Sequence, residues 1–158
     1  LSHEAARHEV DAARLVFAPR WPGADHLARH AAADLFLDTW PYNAHTTASD
    51  ALWAGLPVLT RCNGGFPGRV AASLLHAVGL PELVTEDAAA YEALALSLAH
   101  DPAHLASLRG RLVENRLTTP LFDTRAFTAD LEHGYAAIVA RSRDGESPRD
   151  LQVPPSRR

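Results

Sequence analysis

The chain has 158 residues and a formal net charge of −4; 47% of its residues are hydrophobic and 22% charged. That is about one domain, long enough to bury a core without disulfides, and its acidic balance argues against wholesale nucleic-acid binding. One cysteine, Cys62, excludes an intrachain disulfide and a zinc site on paired thiolates. No apolar run approaches the ~20 residues that span a bilayer, so neither nucleic acid nor membrane is expected as a partner.

Two absences add to this. There is no methionine, even at position 1, so a fragment, a processed product or an excised piece of a protein is expected. All 15 basic residues are arginines, so a Schiff base or a lysine point charge on a phosphate cannot come from this chain. The segment Leu1–Arg7 reads as a polar helix start and not as an apolar leader, and a cytoplasmic protein is expected.

In chain order, residues 2–10 read as a helix and Arg14–Ala18 as a short strand closed by Pro19. A helix fits 24–32, and Asp34–Asp38 reads as a buried-type strand. The polar loop Trp40–Ala44 leads through His45-Thr46-Thr47 into a helix over Ala48–Ala54, stopped at Gly55. Pro57–Thr60 reads as a strand, Asn63–Gly68 as a flexible loop, and Arg69–Val78 as a helix ending at Gly79. Glu82–Val84 suggests an edge strand, with Thr85 capping a helix to about His100. Asp101-Pro102 starts a helix reaching Arg116. Asp123 starts the last one, with Phe127, Leu131, Tyr135 and Ile138 on one stripe expected to pack in the core. Residues 142–158 are expected to form a flexible tail beyond a lobe over 1–141. Strands alternating with helices predict an α/β fold, a parallel sheet flanked by helices on both faces, with further strands expected upstream.

The most informative cluster is His45-Thr46-Thr47-Ala48-Ser49-Asp50. It follows a strand and loop and opens a helix, where open α/β sheets bind ligands. Unpaired first-turn amides and two hydroxyls favour an anionic group such as a diphosphate. Asp50 lies three residues after Thr47, on the same side, and a carboxylate there suits a ribose hydroxyl pair. The spacing equally fits simple capping by Thr46 or Thr47 with Asp50 in solvent.

These residues resemble a known family. The runs Ala33–Thr39, Asn43–Thr47, Asp50, Leu52–Gly55 and Pro57-Val58, continued by Arg69–Ser73 and Pro120–Thr124, are similar to protein O-linked N-acetylglucosamine transferases, including SPINDLY-like relatives. The likeness covers roughly residues 5–140. It implies a Rossmann-like sheet, part of the C-terminal lobe of a GT-B glycosyltransferase, in a family that carries tetratricopeptide repeats and a second catalytic lobe upstream. By resemblance, Trp21-Pro22 meets the uracil edge, His26 lies against the uracil, and Arg29 stands on the base side. His45, Thr46 and Thr47 bind the diphosphate and Asp50 the ribose. The donor implied is UDP-N-acetylglucosamine, with no cofactor and no metal. The acceptor is a protein hydroxyl reached through the upstream region, which also holds the catalytic residues, so this chain alone is expected to be inactive.

The sequence departs from the family in two places. Gly23 stands where a lysine commonly touches the ribose, so that either Arg20 takes over this role or no residue does. Arg61-Cys62-Asn63-Gly64-Gly65 replaces a Pro-Gly-Glu-Thr run. An alternative reading is therefore a non-catalytic nucleotide- or protein-binding module, or a transferase using another nucleotide sugar. His100 and His104, at metal-like spacing but separated by Pro102, read as a helix-boundary accident. Arg109, Arg111 and Arg116 read as a solvated basic face, Trp53 as core, and Cys62, Ser49 and Ser73 as lacking any nucleophile motif.

Overall fold

A computed structural model describes residues 1–154. Among them, helices and strands follow in the order α1 (Ser2–Arg7), α2 (Gly23–Ala28), β1 (Phe36–Leu37), α3 (Thr46–Trp53), β2 (Val58–Arg61), α4 (Val70–Val78), β3 (Val84–Thr85), α5 (Ala88–His100), α6 (Pro102–Asn115) and α7 (Thr124–Arg143). The strands make one parallel sheet in the order β1-β2-β3, with Phe36 beside Val58 and Thr60 beside Val84. Parallel neighbours need a crossover, and α3 and α4 supply the two.

Val58, Leu59 and Thr60 of the central strand are all fully buried. Successive strand side chains face opposite ways, so this burial requires cover on both faces, as the sequence predicts. The core joins Val58 to Ala48, Ala51 and Leu52 of α3, to Ala71, Leu75 and Val78 of α4, and to Leu98, Leu108 and Leu112 of α5 and α6. Steps of three and four place each helical set on one face. Each fully buried leucine contributes about 1.5–3 kcal/mol relative to exposure. Gly55 (φ 84°) and Gly79 (φ 78°) end α3 and α4 in the left-handed conformation, where a side chain is strained. The next amides turn back, Leu56 to the Ala51 carbonyl at 2.8 Å and Leu80 to that of Leu75 at 2.9 Å.

Several expectations need correction. Residues 14–18 form no strand: Ala12–Arg14 is a 3-10 turn, and Val16 and Phe17 are 87% and 66% exposed. A strand needs a hydrogen-bonding neighbour, and none of the described residues provides one. The helix over 24–32 tightens into a 3-10 turn at Arg29–Ala32. The edge strand lies at Val84–Thr85, after a 3-10 turn over Pro81–Leu83. Thr85 is a strand residue whose hydroxyl donates to the Thr60 carbonyl; Asp87 caps α5, accepting from the Ala90 amide at 2.8 Å.

The stripe on α7 is not core, since Phe127, Leu131, Tyr135 and Ile138 are 42–65% exposed. Trp53 is only half-buried, edge-on to Phe122. The basic face of α6 is engaged: Arg109 pairs with Asp34 at 3.2 Å, Arg111 with Glu82, and Arg116 donates to the Trp53 carbonyl at 2.7 Å. Of the expected tail, residues 144–154 carry no regular structure, and Arg141 on α7 donates to the Asp150 carbonyl at 3.4 Å. Residues 155–158 lie outside the described residues. Among the described residues, no helix is long and apolar enough to cross a membrane.

Candidate functional site

The carboxyl ends of β1 and β2 open onto the start of α3. His45 is the N-cap of α3, and Thr46 and Thr47 are its first two residues, both exposed. Among the described residues, no acceptor meets the amides of Thr46, Thr47 or Ala48. The first intrahelical bond is donated by Ser49, to the His45 carbonyl at 3.0 Å. The exposed Thr46 and Thr47 thus present two hydroxyls and two unpaired amides at the positive end of a helix whose Ala48, Ala51 and Leu52 face is buried in the core. Neither threonine is the cap, so the simple capping reading does not describe them.

Asp50 lies one turn further along α3, half-buried. Its Oδ2 is 3.7 Å from His26 Nε2 on α2. This pair joins two segments 24 positions apart in the sequence, and only the fold brings them together. His26 is held by its neighbour: the His30 ring stands edge-on at 4.9 Å, and His30 Nδ1–H donates to the His26 carbonyl at 2.9 Å. Beside them opens a cleft of about 560 Å³ lined by Ala18, Pro19, Arg20, Trp21, Gly23, His26 and Arg29. Arg29 reaches back to the Pro19 carbonyl at 3.0 Å, and its guanidinium lies 5.9 Å from the Trp21 ring centre. A flat aromatic surface, a cation and an imidazole therefore border one end of the site. A carboxylate stands in the middle, and the helix start closes the other end.

The His45 ring turns away from the helix axis. It stacks on Tyr42 at 5.0 Å, meets the Phe66 edge at 6.0 Å, and directs Nε2 at the Pro67 carbonyl, 3.3 Å away. In that arrangement Nε2–H donates to protein and Nδ1 is the free ring atom of neutral His45. At Gly23 no atom beyond its chain neighbours and its own helix backbone lies within 4 Å of where a Cβ would stand, so the departure there leaves open space. His100 ends α5 and His104 lies in the first turn of α6. Among the described residues, no group of three or more metal-ligating side chains occurs.

Sequence reasoning passed over the network beneath the site. Asp38 is 5% exposed and Asn43 1% exposed, both in the connection from β1 to α3. The Tyr91 hydroxyl of α5 donates to the Asp38 carbonyl at 2.9 Å. Burial, and after it the Asp38 charge, push the Tyr91 phenol above its usual range. The signal was present in the sequence: a carboxylate closing an apolar strand directly before a polar loop.

A family model described as glycosyl transferase family 41 matches residues 1–131. The UDP-N-acetylglucosamine–peptide N-acetylglucosaminyltransferase of Caenorhabditis elegans is 37% identical over 86% of this chain and 12% of its own length. A probable enzyme of the same name, SPINDLY, from Hordeum vulgare is 38% identical over 82% of this chain and 14% of its own length. A solved structure of a mutant Thermobaculum terrenum O-GlcNAc transferase superposes with a TM-score of 0.79 at 36% identity, covering 85% of this chain and 26% of that one. The chain thus spans under a third of each, and its parallel sheet with flanking helices is part of a GT-B lobe. On these matches the chain belongs to glycosyl transferase family 41.

Proposed function

We propose that this chain is the donor-nucleotide part of a protein O-glycosyltransferase that takes N-acetylglucosamine from its uridine diphosphate ester to serine or threonine hydroxyls. The observation that carries the reading is the approach of His26 to Asp50, 3.7 Å apart, beside the open start of α3. Trp21, His26 and Arg29 receive the uracil side, Asp50 the ribose, and His45, Thr46 and Thr47 the diphosphate. In an inverting transfer the acceptor oxygen bonds to the anomeric carbon as the bond to the diphosphate oxygen breaks. Negative charge then grows on the leaving diphosphate. Preorganised amides and hydroxyls at the α3 start stabilise that charge without reorganising, which is electrostatic catalysis. The chain has no lysine to share this task. The acceptor, the general base and the second lobe belong to the remainder of a longer, cytoplasmic protein, and residues 1–141 make up this chain's share of the lobe.

The names of the relatives support the donor and the peptide acceptor. One observation favours the second reading, a binding module or a transferase for another nucleotide sugar: the open space at Gly23, where the family commonly has a ribose-contacting lysine. Titration calorimetry with uridine diphosphate and adenosine diphosphate tests the assignment. Selective binding of the uridine ligand is expected; equal affinity removes the uridine reading. Transfer assays on the longer protein then separate enzyme from module, while the chain alone is expected to stay at background because positioning across two lobes is missing.

A further inference from the structure

Asp38 follows β1 directly and is 5% exposed. Its Oδ1 accepts from the amides of Thr39 at 2.8 Å and Ala44 at 2.7 Å; its Oδ2 accepts from the Thr60 hydroxyl at 2.6 Å. The two amides bracket the connection to α3, because Thr39 is its first residue after Asp38 and Ala44 immediately precedes the N-cap His45. One carboxylate oxygen therefore ties both ends of the loop together. The other fastens the loop to the central strand.

A buried carboxylate is costly unless charge-assisted hydrogen bonds satisfy it, and three donors do so here. An ionised carboxylate only accepts, so it serves all three donors at once. Neighbouring bonds hold the same loop. Asn43 Nδ2 donates to the Thr39 carbonyl at 2.8 Å and the Asn43 amide to the Pro67 carbonyl at 3.1 Å. Asn43 Oδ1 is buried without a partner among the described residues, a cost the loop carries in adopting this shape. Such over-determination exceeds what an ordinary surface connection needs. It ends at Ala44, two residues before Thr46, the first residue of the helix.

We propose that Asp38 is the positioning residue that aims the start of α3, with the amides and hydroxyls of Thr46 and Thr47, at the diphosphate of the bound nucleotide. The proposal rests on the nucleotide reading given above. Asp38 touches no ligand; it acts through Ala44 and the chain direction that Ala44 imposes. Misplacing fixed donors by about 1 Å is enough to lose most of their benefit.

The test uses the intact protein and three probes: uridine, pyrophosphate and uridine diphosphate. Asp38→Ala is expected to weaken pyrophosphate and uridine diphosphate by about 10–100-fold, the scale of a lost charge-assisted hydrogen bond. Uridine should change by less than about threefold, since the α2 cleft is untouched. Thr60→Val, which removes one donor, should give the same pattern at smaller amplitude. It carries the test if Asp38→Ala does not fold, together with the shape-conserving Asp38→Asn. A merely structural role would weaken all three probes in proportion, and that result overturns the proposal, as does unchanged pyrophosphate affinity in the folded variants. Failure of the unaltered protein to bind uridine diphosphate instead overturns the nucleotide reading and takes this proposal with it.

Discussion

Two connections border the site, and they are built in opposite ways. The one from β1 to α3 is internally bonded: Asp38 and Asn43 are nearly inaccessible and the loop is fastened to β2. The one entering α2 runs through Val16, Phe17 and Trp21, which are 87%, 66% and 45% exposed, and Arg29 meets it from outside, at the Pro19 carbonyl and over the Trp21 ring. Charge on a leaving diphosphate is best met by donors that do not move. A planar base can instead be received by side chains that settle around it. On the proposed nucleotide reading, the contrast gives rigidity to the phosphate end and adaptability to the base end.

The largest expected effect separates the two regions by stability. Leu52→Ala, on the buried face of α3, should lower the unfolding free energy by about 2–5 kcal/mol. Phe17→Ser should change it by less than about 0.5 kcal/mol, as exposed substitutions do. Chemical denaturation of the two variants checks this. Comparable losses would mean that the approach to α2 is packed, and the contrast would fail.

Asp50→Ala asks where the two regions meet. Binding of uridine diphosphate should weaken by about 1–3 kcal/mol, with free pyrophosphate nearly unaffected. If calorimetry finds both ligands weakened together, Asp50 supports the helix and does not serve the ribose.

What is legible in the sequence is local, and it lies outside both connections. Gly55 and Gly79 as helix stops and Asp101 as a cap follow from local chemistry, and the structure has all three in those roles. The strand expected at 14–18 does not form because pairing is non-local; an apolar run names a strand only if a neighbour exists. The α7 stripe misleads for a related reason: periodicity tells which residues share a face, not whether anything covers that face. At the site, His26 and Asp50 are each legible separately, and their 3.7 Å approach comes only with the fold. Asp38 escapes a local reading because its partners, Ala44 and Thr60, lie six and 22 positions away.

Tyr91→Phe probes the rigid side more gently. Removing its hydroxyl from the Asp38 carbonyl should cost about 0.5–1.5 kcal/mol of stability near neutral pH. The sign with pH follows from the raised phenol, whose ordinary value is 10.0. A folded value above the unfolded one means the contribution is complete below the unfolded value and is lost as pH rises through the folded one. Urea melts at rising pH should show the difference between Tyr91 and Phe shrinking in the alkaline range. A constant difference would mean that the hydroxyl's bond does not matter.

The smallest effect belongs to the open side. Gly23 is the first residue of α2, lines the cleft, and has no atom beyond its chain neighbours and its own helix backbone within 4 Å of where a Cβ would stand. Gly23→Lys should therefore fit without displacing anything. A lysine gains up to about 1 kcal/mol of helix propensity over glycine. A cation at a helix start loses about 0.3–1 kcal/mol against the dipole, so stability should barely move. If the lysine restores the family's hydrogen bond to the ribose, uridine affinity should rise by about twofold to fivefold, the low end of one added hydrogen bond. Pyrophosphate serves as the control, because the ammonium has a long, flexible reach. An equal gain for pyrophosphate would place the new charge on the phosphate side, and the division between an adaptable base end and a fixed phosphate end would then have to be redrawn around α2.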